Sequence, residues 1–302
     1  MANFLPSGTM VALATPAGAD GSLDEGGLER LVHRVVSGGV DGISPTGSTG
    51  EGARLTREQR LAVCRRVRSL VPAGMPVIPG LPLTTLAEGP ADLAALADAG
   101  ATAALVAAPS YYPLSDEGAL RLYETLADRS PLPLLLYNIP VYTKVSIAPD
   151  VVATLADHPM VAGIKDSSRD MVYQQQVLYA TAGAEFSVLT GTDGLLVASL
   201  LLGAVGTIAA SANLVPDLIC NVYRTFEAGD TAAALTHQQR LTRVITACRA
   251  GELPSGWKAA LEIAGVCAAH PVPPGLPLTP AQYDRLKDFL VGEGLANGHR
   301  AA

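Results

Sequence analysis

Eight times between residues 8 and 228, a short apolar run ending in a turn signal is followed by a stretch whose apolar residues recur at helical spacing. That alternation constrains the chain more than any single motif in it. A run such as Leu132-Pro133-Leu134-Leu135-Leu136-Tyr137 has no polar face, so both of its sides must be covered, as in a parallel sheet clad by helices. Among the helical stretches, Leu28, Leu31, Val32, Val35 and Val36 line one face, and Thr56 stands as an N-cap ahead of residues 58–70. Strands are expected at residues 8–13, 40–44, 76–80, 102–107, 132–137, 161–165, 186–190 and 204–209, each with a helix after it. Eight strand-helix units, spaced by roughly 20 to 35 residues, make an α/β fold of the (β/α)8 TIM-barrel kind. The same units could wind into an open sheet, but neither a GxGxxG nor a GxxxxGK[ST] follows the first strand.

Past the eighth unit, residues 231–250, 256–266 and 279–291 read as three more helices, with the extended connector Pro271-Val272-Pro273-Pro274-Gly275-Leu276-Pro277 before the last. The expected organisation is a catalytic barrel over residues 1–228 and a C-terminal helical extension over 229–302, frayed from residue 292 onward. A net charge of −7 without a long basic cluster argues against nucleic acid and anionic membranes as partners and leaves small molecules. Cys64, Cys220, Cys248 and Cys267 lack metal or redox spacing and read as reduced core residues. Residues 1–15 lack the features of a secretory signal, and the apolar run over 195–208 is broken by Gly203 and Gly206, so a cytoplasmic protein is expected.

The chemistry is expected at the C-terminal ends of the strands. Lysine is scarce, occurring only at 144, 165, 258 and 287, and Lys165 stands at the end of the apolar run Val161-Ala162-Gly163-Ile164. Desolvation there favours the free amine, which condenses with a carbonyl to a Schiff base; the bland alternative is a strand end reaching into solvent. Tyr137 ends the preceding strand, where a phenol serves as general acid or base, though by itself it reads as a core tyrosine. After the second strand, Gly47-Ser48-Thr49-Gly50-Glu51 can turn backbone N–H groups toward a carboxylate or phosphate, or be an ordinary turn. Pro109-Ser110-Tyr111-Tyr112-Pro113 follows the fourth strand as a packed loop or a source of a relay phenol.

Taken together, Gly47-Ser48-Thr49-Gly50-Glu51, Tyr137-Asn138-Ile139-Pro140, Gly163-Ile164-Lys165-Asp166-Ser167-Ser168 and Gly203-Ala204-Val205-Gly206 resemble the dihydrodipicolinate synthase / N-acetylneuraminate lyase family of pyruvate-handling class I aldolases. The resemblance covers nearly the whole chain. It implies that Lys165 forms an imine with the keto carbon of pyruvate and that Ser48 and Thr49 hold the carboxylate. Tyr137 would be the acid/base, with Ser48 and a neighbouring subunit's copy of Tyr111 as its relay; a homo-oligomer follows, usually a tetramer built as a dimer of dimers. Ile208 matches a position whose carbonyl faces pyruvate, and Tyr142, Ser167 and Asp193 complete the expected substrate contacts. No cofactor and no metal are implied, since the iminium serves as the electron sink. His33, His158, His237, His270 and His299 are read as structural or solvated.

Two departures bear on the substrate. Where the synthases carry an arginine for the aldehyde partner's carboxylate this chain has Tyr142, and a phenol cannot make the bidentate charged pair. Where the sialic acid lyases follow the strand-7 Asp with a Glu, Asp193 is followed by Gly194. The expectation is a lyase or aldolase joining or cleaving pyruvate and an aldehyde, on a 2-keto-3-deoxy acid. The alternatives are 4-hydroxy-tetrahydrodipicolinate synthase, a hydratase or decarboxylating relative, and, from other classes, a non-catalytic keto-acid-binding barrel or a phosphate-binding isomerase. Asp193 in Gly191-Thr192-Asp193-Gly194 disfavours the last.

Overall fold

Each of the eight apolar runs reaches a strand, and all eight strands are parallel. The computed structural model describes residues 4–268 and 270–296. It contains β1 (Gly8–Ala12), β2 (Gly42–Ser44), β3 (Gly80–Pro82), β4 (Ala104–Ala107), β5 (Leu134–Asn138), β6 (Val161–Asp166), β7 (Ser187–Thr190) and β8 (Gly206–Ala209). Their order, β2-β1-β8-β7-β6-β5-β4-β3, is that of a (β/α)8 barrel with one seam, between β2 and β3. The expected third strand over residues 76–80 lies at that seam, yet the regular strand starts only at Gly80. Pro76 and Pro79 have no N–H to give to a ladder. What closes the seam is an isolated bridge between Ile43 and Val77, together with Ile78 N–H to the Ile43 carbonyl and Gly80 N–H to the Pro45 carbonyl, both at 2.8 Å.

Alternation along the strands sorts the apolar residues into two cores. Met10, Leu105, Leu135, Leu189 and Ile208 point inward and fill the barrel, with Tyr137 above them. Their neighbours Val11, Val106, Leu134, Leu136 and Val188 point outward and meet the helices.

Those helices are α1 (Glu25–Ser37), α2 (Arg57–Leu70), α3 (Gly89–Asp98), α4 (Asp116–Ala127), α5 (Pro140–Thr143), α6 (Pro149–Ala156), α7 (Met171–Ala180), α8 (Leu196–Leu202) and α9 (Pro216–Glu227). Side-chain caps start several of them: Asp24 accepts from Gly27 N–H, Ser115 from Gly118 N–H, and Thr56 forms a capping box with Gln59. Helix α3 has Pro90 in its first turn, where the missing N–H costs nothing. The one-turn α5 likewise begins on a proline.

Three further helices follow, α10 (Thr231–Cys248), α11 (Ser255–Ile263) and α12 (Pro280–Gly292). Helix α10 packs along α9, and the link from α10 to α11 crosses the barrel mouth. The expected tail begins at Gly292, which instead ends α12; residues 297–302, with His299, lie outside the described residues. All four cysteines are buried and free of disulfides. Burial pushes the Cys248 thiol up to about 12, so it stays protonated and inert. Among the described residues, no helix is long and apolar enough to cross a membrane.

Candidate active site

The register of β5 and β6 places Tyr137 beside Lys165, and both side chains rise from the inner core into a cavity of about 300 Å³. Lys165 is 4% exposed. Its Nζ donates to the Tyr137 hydroxyl at 3.4 Å and lies 4.5 Å from the centroid of that ring. The Tyr137 hydroxyl in turn lies 3.2 Å from the Ser48 Oγ. An amine, a phenol and an alcohol thus form a continuous hydrogen-bonded line along which a proton can pass.

The next residues of the two strands face outward and hold the line in place. Asn138 donates its amide to Asp166 Oδ1 at 2.8 Å and accepts from Ile147 N–H at 3.1 Å. Asp166 also accepts from Ser168 N–H and Oγ. Burial pushes the Asp166 carboxyl up, while the bonds from Asn138 and Ser168 pull the other way.

Gly191 is the other constraint on Lys165. A Cβ built there would lie 2.0 Å from Ser167 Oγ and 2.6 Å from Lys165 Cε. Gly191→Ala is therefore expected to push the lysine stem off its line to Tyr137 and to lower turnover on a keto acid by roughly tenfold or more. Comparing kcat/KM and melting temperature with the parent checks this, and unchanged kcat/KM would show that the stem has room to move.

Ser48 and Thr49 reach the cavity from a tightly wound loop. Thr46 and Glu51 are both left-handed, at φ 55°, Glu51 N–H donates to the Ser48 carbonyl at 3.2 Å, and Gly52 N–H donates to that of Gly47 at 3.1 Å. A Cβ on Gly52 would fall 1.8 Å from the Thr46 carbonyl oxygen, so this position requires glycine.

Eight of the nine expected site residues line this one cavity: Lys165, Tyr137, Ser48, Thr49, Ile208, Tyr142, Ser167 and Asp193. They are not equally free. Asp193 Oδ2 accepts from Ser211 N–H at 2.7 Å, and its carbonyl accepts from Gln238 at 3.1 Å, so it braces the wall. Tyr142 stands on α5 at the rim, its phenol pushed up by burial and by nearby Tyr137. The ninth residue, Tyr111, is 85% exposed, packs edge-on against Tyr112 and does not reach the cavity of its own chain.

Arg169, Arg249 and Trp257 also line the cavity, and the sequence reading passed over all three. Arg169 follows Gly163-Ile164-Lys165-Asp166-Ser167-Ser168 on the same strand-end loop, so its position was legible. Arg249 and Trp257 belong to the extension, whose path over the mouth is set by tertiary packing. No group of three or more His, Cys, Asp or Glu side chains among the described residues is arranged to hold a metal ion.

A buried strand-end lysine facing a phenol at a barrel mouth fits the pyruvate-dependent class I aldolases, and by its relatives the chain is a lyase of that class. The family model described as the dihydrodipicolinate synthetase family matches residues 5–292, and the chain belongs to that family. It is 33% identical over 290 residues to a 4-hydroxy-tetrahydrodipicolinate synthase of Gluconacetobacter diazotrophicus, covering 96% of this chain and 98% of the relative. A protein of the same name from Phenylobacterium zucineum is 36% identical over 275 residues, 91% of this chain and 92% of the relative. Among solved structures, the E. coli K12 prophage protein YagE, of the dihydrodipicolinic acid synthase family and in complex with pyruvate, matches with a TM-score of 0.91 and 32% identity, over 97% of this chain and 100% of that one.

Proposed function

We propose that this lyase works through an imine at Lys165, cleaving a 2-keto-3-deoxy acid to pyruvate and an aldehyde or joining the two. The observation that carries the reading is the line from Lys165 Nζ through Tyr137 to Ser48, at 3.4 and 3.2 Å. The neutral amine attacks the keto carbon, and the carbinolamine loses water to give an iminium. Tyr137 takes the proton of the C4 hydroxyl, the C3–C4 bond breaks, and its electron pair flows into the iminium to leave the enamine of pyruvate. The aldehyde departs, C3 is protonated, and water releases pyruvate from Lys165.

In this reading Ser48 and Thr49 hold the carboxylate of the keto acid, Ile208 and Ser167 border it, and Asp193 shapes the wall. Tyr111, exposed in one copy, completes the proton relay of a second, in a dimer that pairs into a tetramer. Residues 1–228 serve as the barrel and 229–302 as its extension.

A second reading, condensation of pyruvate with aspartate semialdehyde, is favoured by the name carried by the relatives. Tyr142 lacks the charge that an aldehyde partner's carboxylate calls for, but Arg169 and Arg249 stand on the same cavity. Borohydride reduction with pyruvate, followed by peptide mapping, tests the shared step. The expected result is a pyruvyl adduct on Lys165, and a folded sample without one would sink both readings. Turnover on 2-keto-3-deoxy acids or on aspartate semialdehyde then decides between them.

A further inference from the structure

Glu51 closes the loop that carries Ser48 and Thr49, and its carboxylate is buried where water cannot neutralise it. Three groups meet it. Arg54 Nη1 donates to Oε1 at 2.9 Å, and Val272 N–H donates to the same oxygen at 2.9 Å. The Lys258 ammonium stands 2.5 Å from Oε2 as an ion pair. Lys258 is itself fully buried and donates to the His270 carbonyl at 2.7 Å. Two of the three partners therefore come from the C-terminal extension, one on α11 and one on the connector to α12.

We propose that Glu51 and Lys258 are positioning residues for substrate binding: their buried ion pair docks the extension onto the Ser48–Thr49 loop and holds it in the shape that grips the carboxylate. The link is short. Glu51 N–H donates to the Ser48 carbonyl, and Arg54 N–H donates to that of Glu51 at 2.7 Å, so movement of the Glu51 backbone moves the Ser48 peptide with it. Glu51 is also left-handed, a conformation that a non-glycine residue keeps only where its surroundings enforce it. Without the extension, the carboxylate would lose the ammonium and one N–H, and a buried charge so depleted drives its loop toward solvent. Burial pushes the Lys258 ammonium down from its usual range, and the Glu51 carboxylate beside it pulls the other way.

The inference rests on the Schiff-base reading above, in which that loop binds the keto acid's carboxylate. The test uses the full chain and three variants: Glu51→Gln, Lys258→Met and the double substitution. Three quantities are read for each: the pyruvate concentration giving half-maximal borohydride trapping on Lys165, kcat at saturating keto acid, and melting temperature. Each single variant is expected to raise the half-trapping concentration roughly tenfold while kcat at saturation falls far less. In the double variant neither charge is orphaned, so melting temperature should recover toward the parent while the half-trapping concentration stays raised. Half-trapping at the parent's concentration in the double variant, or in every variant that folds, would overturn the positioning role and leave the pair as structural. Absence of an adduct in the parent itself would overturn the Schiff-base reading, and this inference with it.

Discussion

Lys165→Ala is expected to abolish turnover on every 2-keto acid, a loss of at least ~10³-fold, because no other group in the cavity can form the covalent intermediate. Among the described residues, lysine is absent elsewhere from the lining, and the guanidiniums of Arg169 and Arg249 are poor nucleophiles. The alanine also vacates the space beneath Gly191, so Lys165→Met is the better control. It keeps most of the stem packed against Gly191 and Ser167 and removes only the amine. Steady-state rates and intact mass after borohydride treatment should show neither turnover nor adduct in either variant, with melting temperature close to the parent for the methionine. Measurable turnover in a homogeneous Lys165→Met sample would remove the imine from the mechanism.

The second large effect is expected at Tyr137. Its hydroxyl is the member common to both hydrogen bonds of the line, to Lys165 Nζ and to Ser48 Oγ. Tyr137→Phe keeps the ring over the lysine and deletes only that oxygen. In the proposed reading Ser48 and Thr49, not the phenol, hold the keto acid's carboxylate, so the keto acid should still bind. Proton transfer should suffer, by about 10²- to 10⁴-fold in kcat. A time course of borohydride trapping separates the steps: the adduct should still accumulate on Lys165, but slowly, and cleavage should lag further. If the phenylalanine variant turned over within a few fold of the parent, the acid/base would have to be sought elsewhere in the cavity.

Side-chain chemistry at strand ends was legible because a parallel barrel allows few places for it. Once residues 132–137 and 161–165 read as neighbouring strands, Tyr137 and Lys165 had to meet at one mouth, and the register pairs them. Thr56 was readable for a similarly local reason, since an N-cap is settled within a turn of its own helix. Other features depend on contacts that local sequence does not encode. The third strand was placed at 76–80 by its apolar character, although Pro76 and Pro79 lack N–H donors, and only Gly80 of that stretch enters the regular strand. Asp193 was expected to face substrate, and its carboxylate also braces Ser211, eighteen residues away. The path of residues 249–257 over the mouth, and with it Arg249 and Trp257, follows from how α10 and α11 dock.

The seam between β2 and β3 gives the molecule an internal check on its own assembly. The loop bearing Ser48 and Thr49 leaves β2 at that seam and helps to seal it. Thr46 Oγ1 donates to the Gly80 carbonyl at 2.9 Å, and a Cβ at Gly80 would sit 2.6 Å from Gly47 Cα, so the two edges lie in close contact. A chain in which every other strand junction had formed would already display its amine and its phenol, since both belong to β5 and β6. It would lack the carboxylate grip proposed for Ser48 and Thr49 until the last edge locked. On the proposed reading, an unsealed barrel would present its amine and phenol without the loop geometry that holds a keto acid against them.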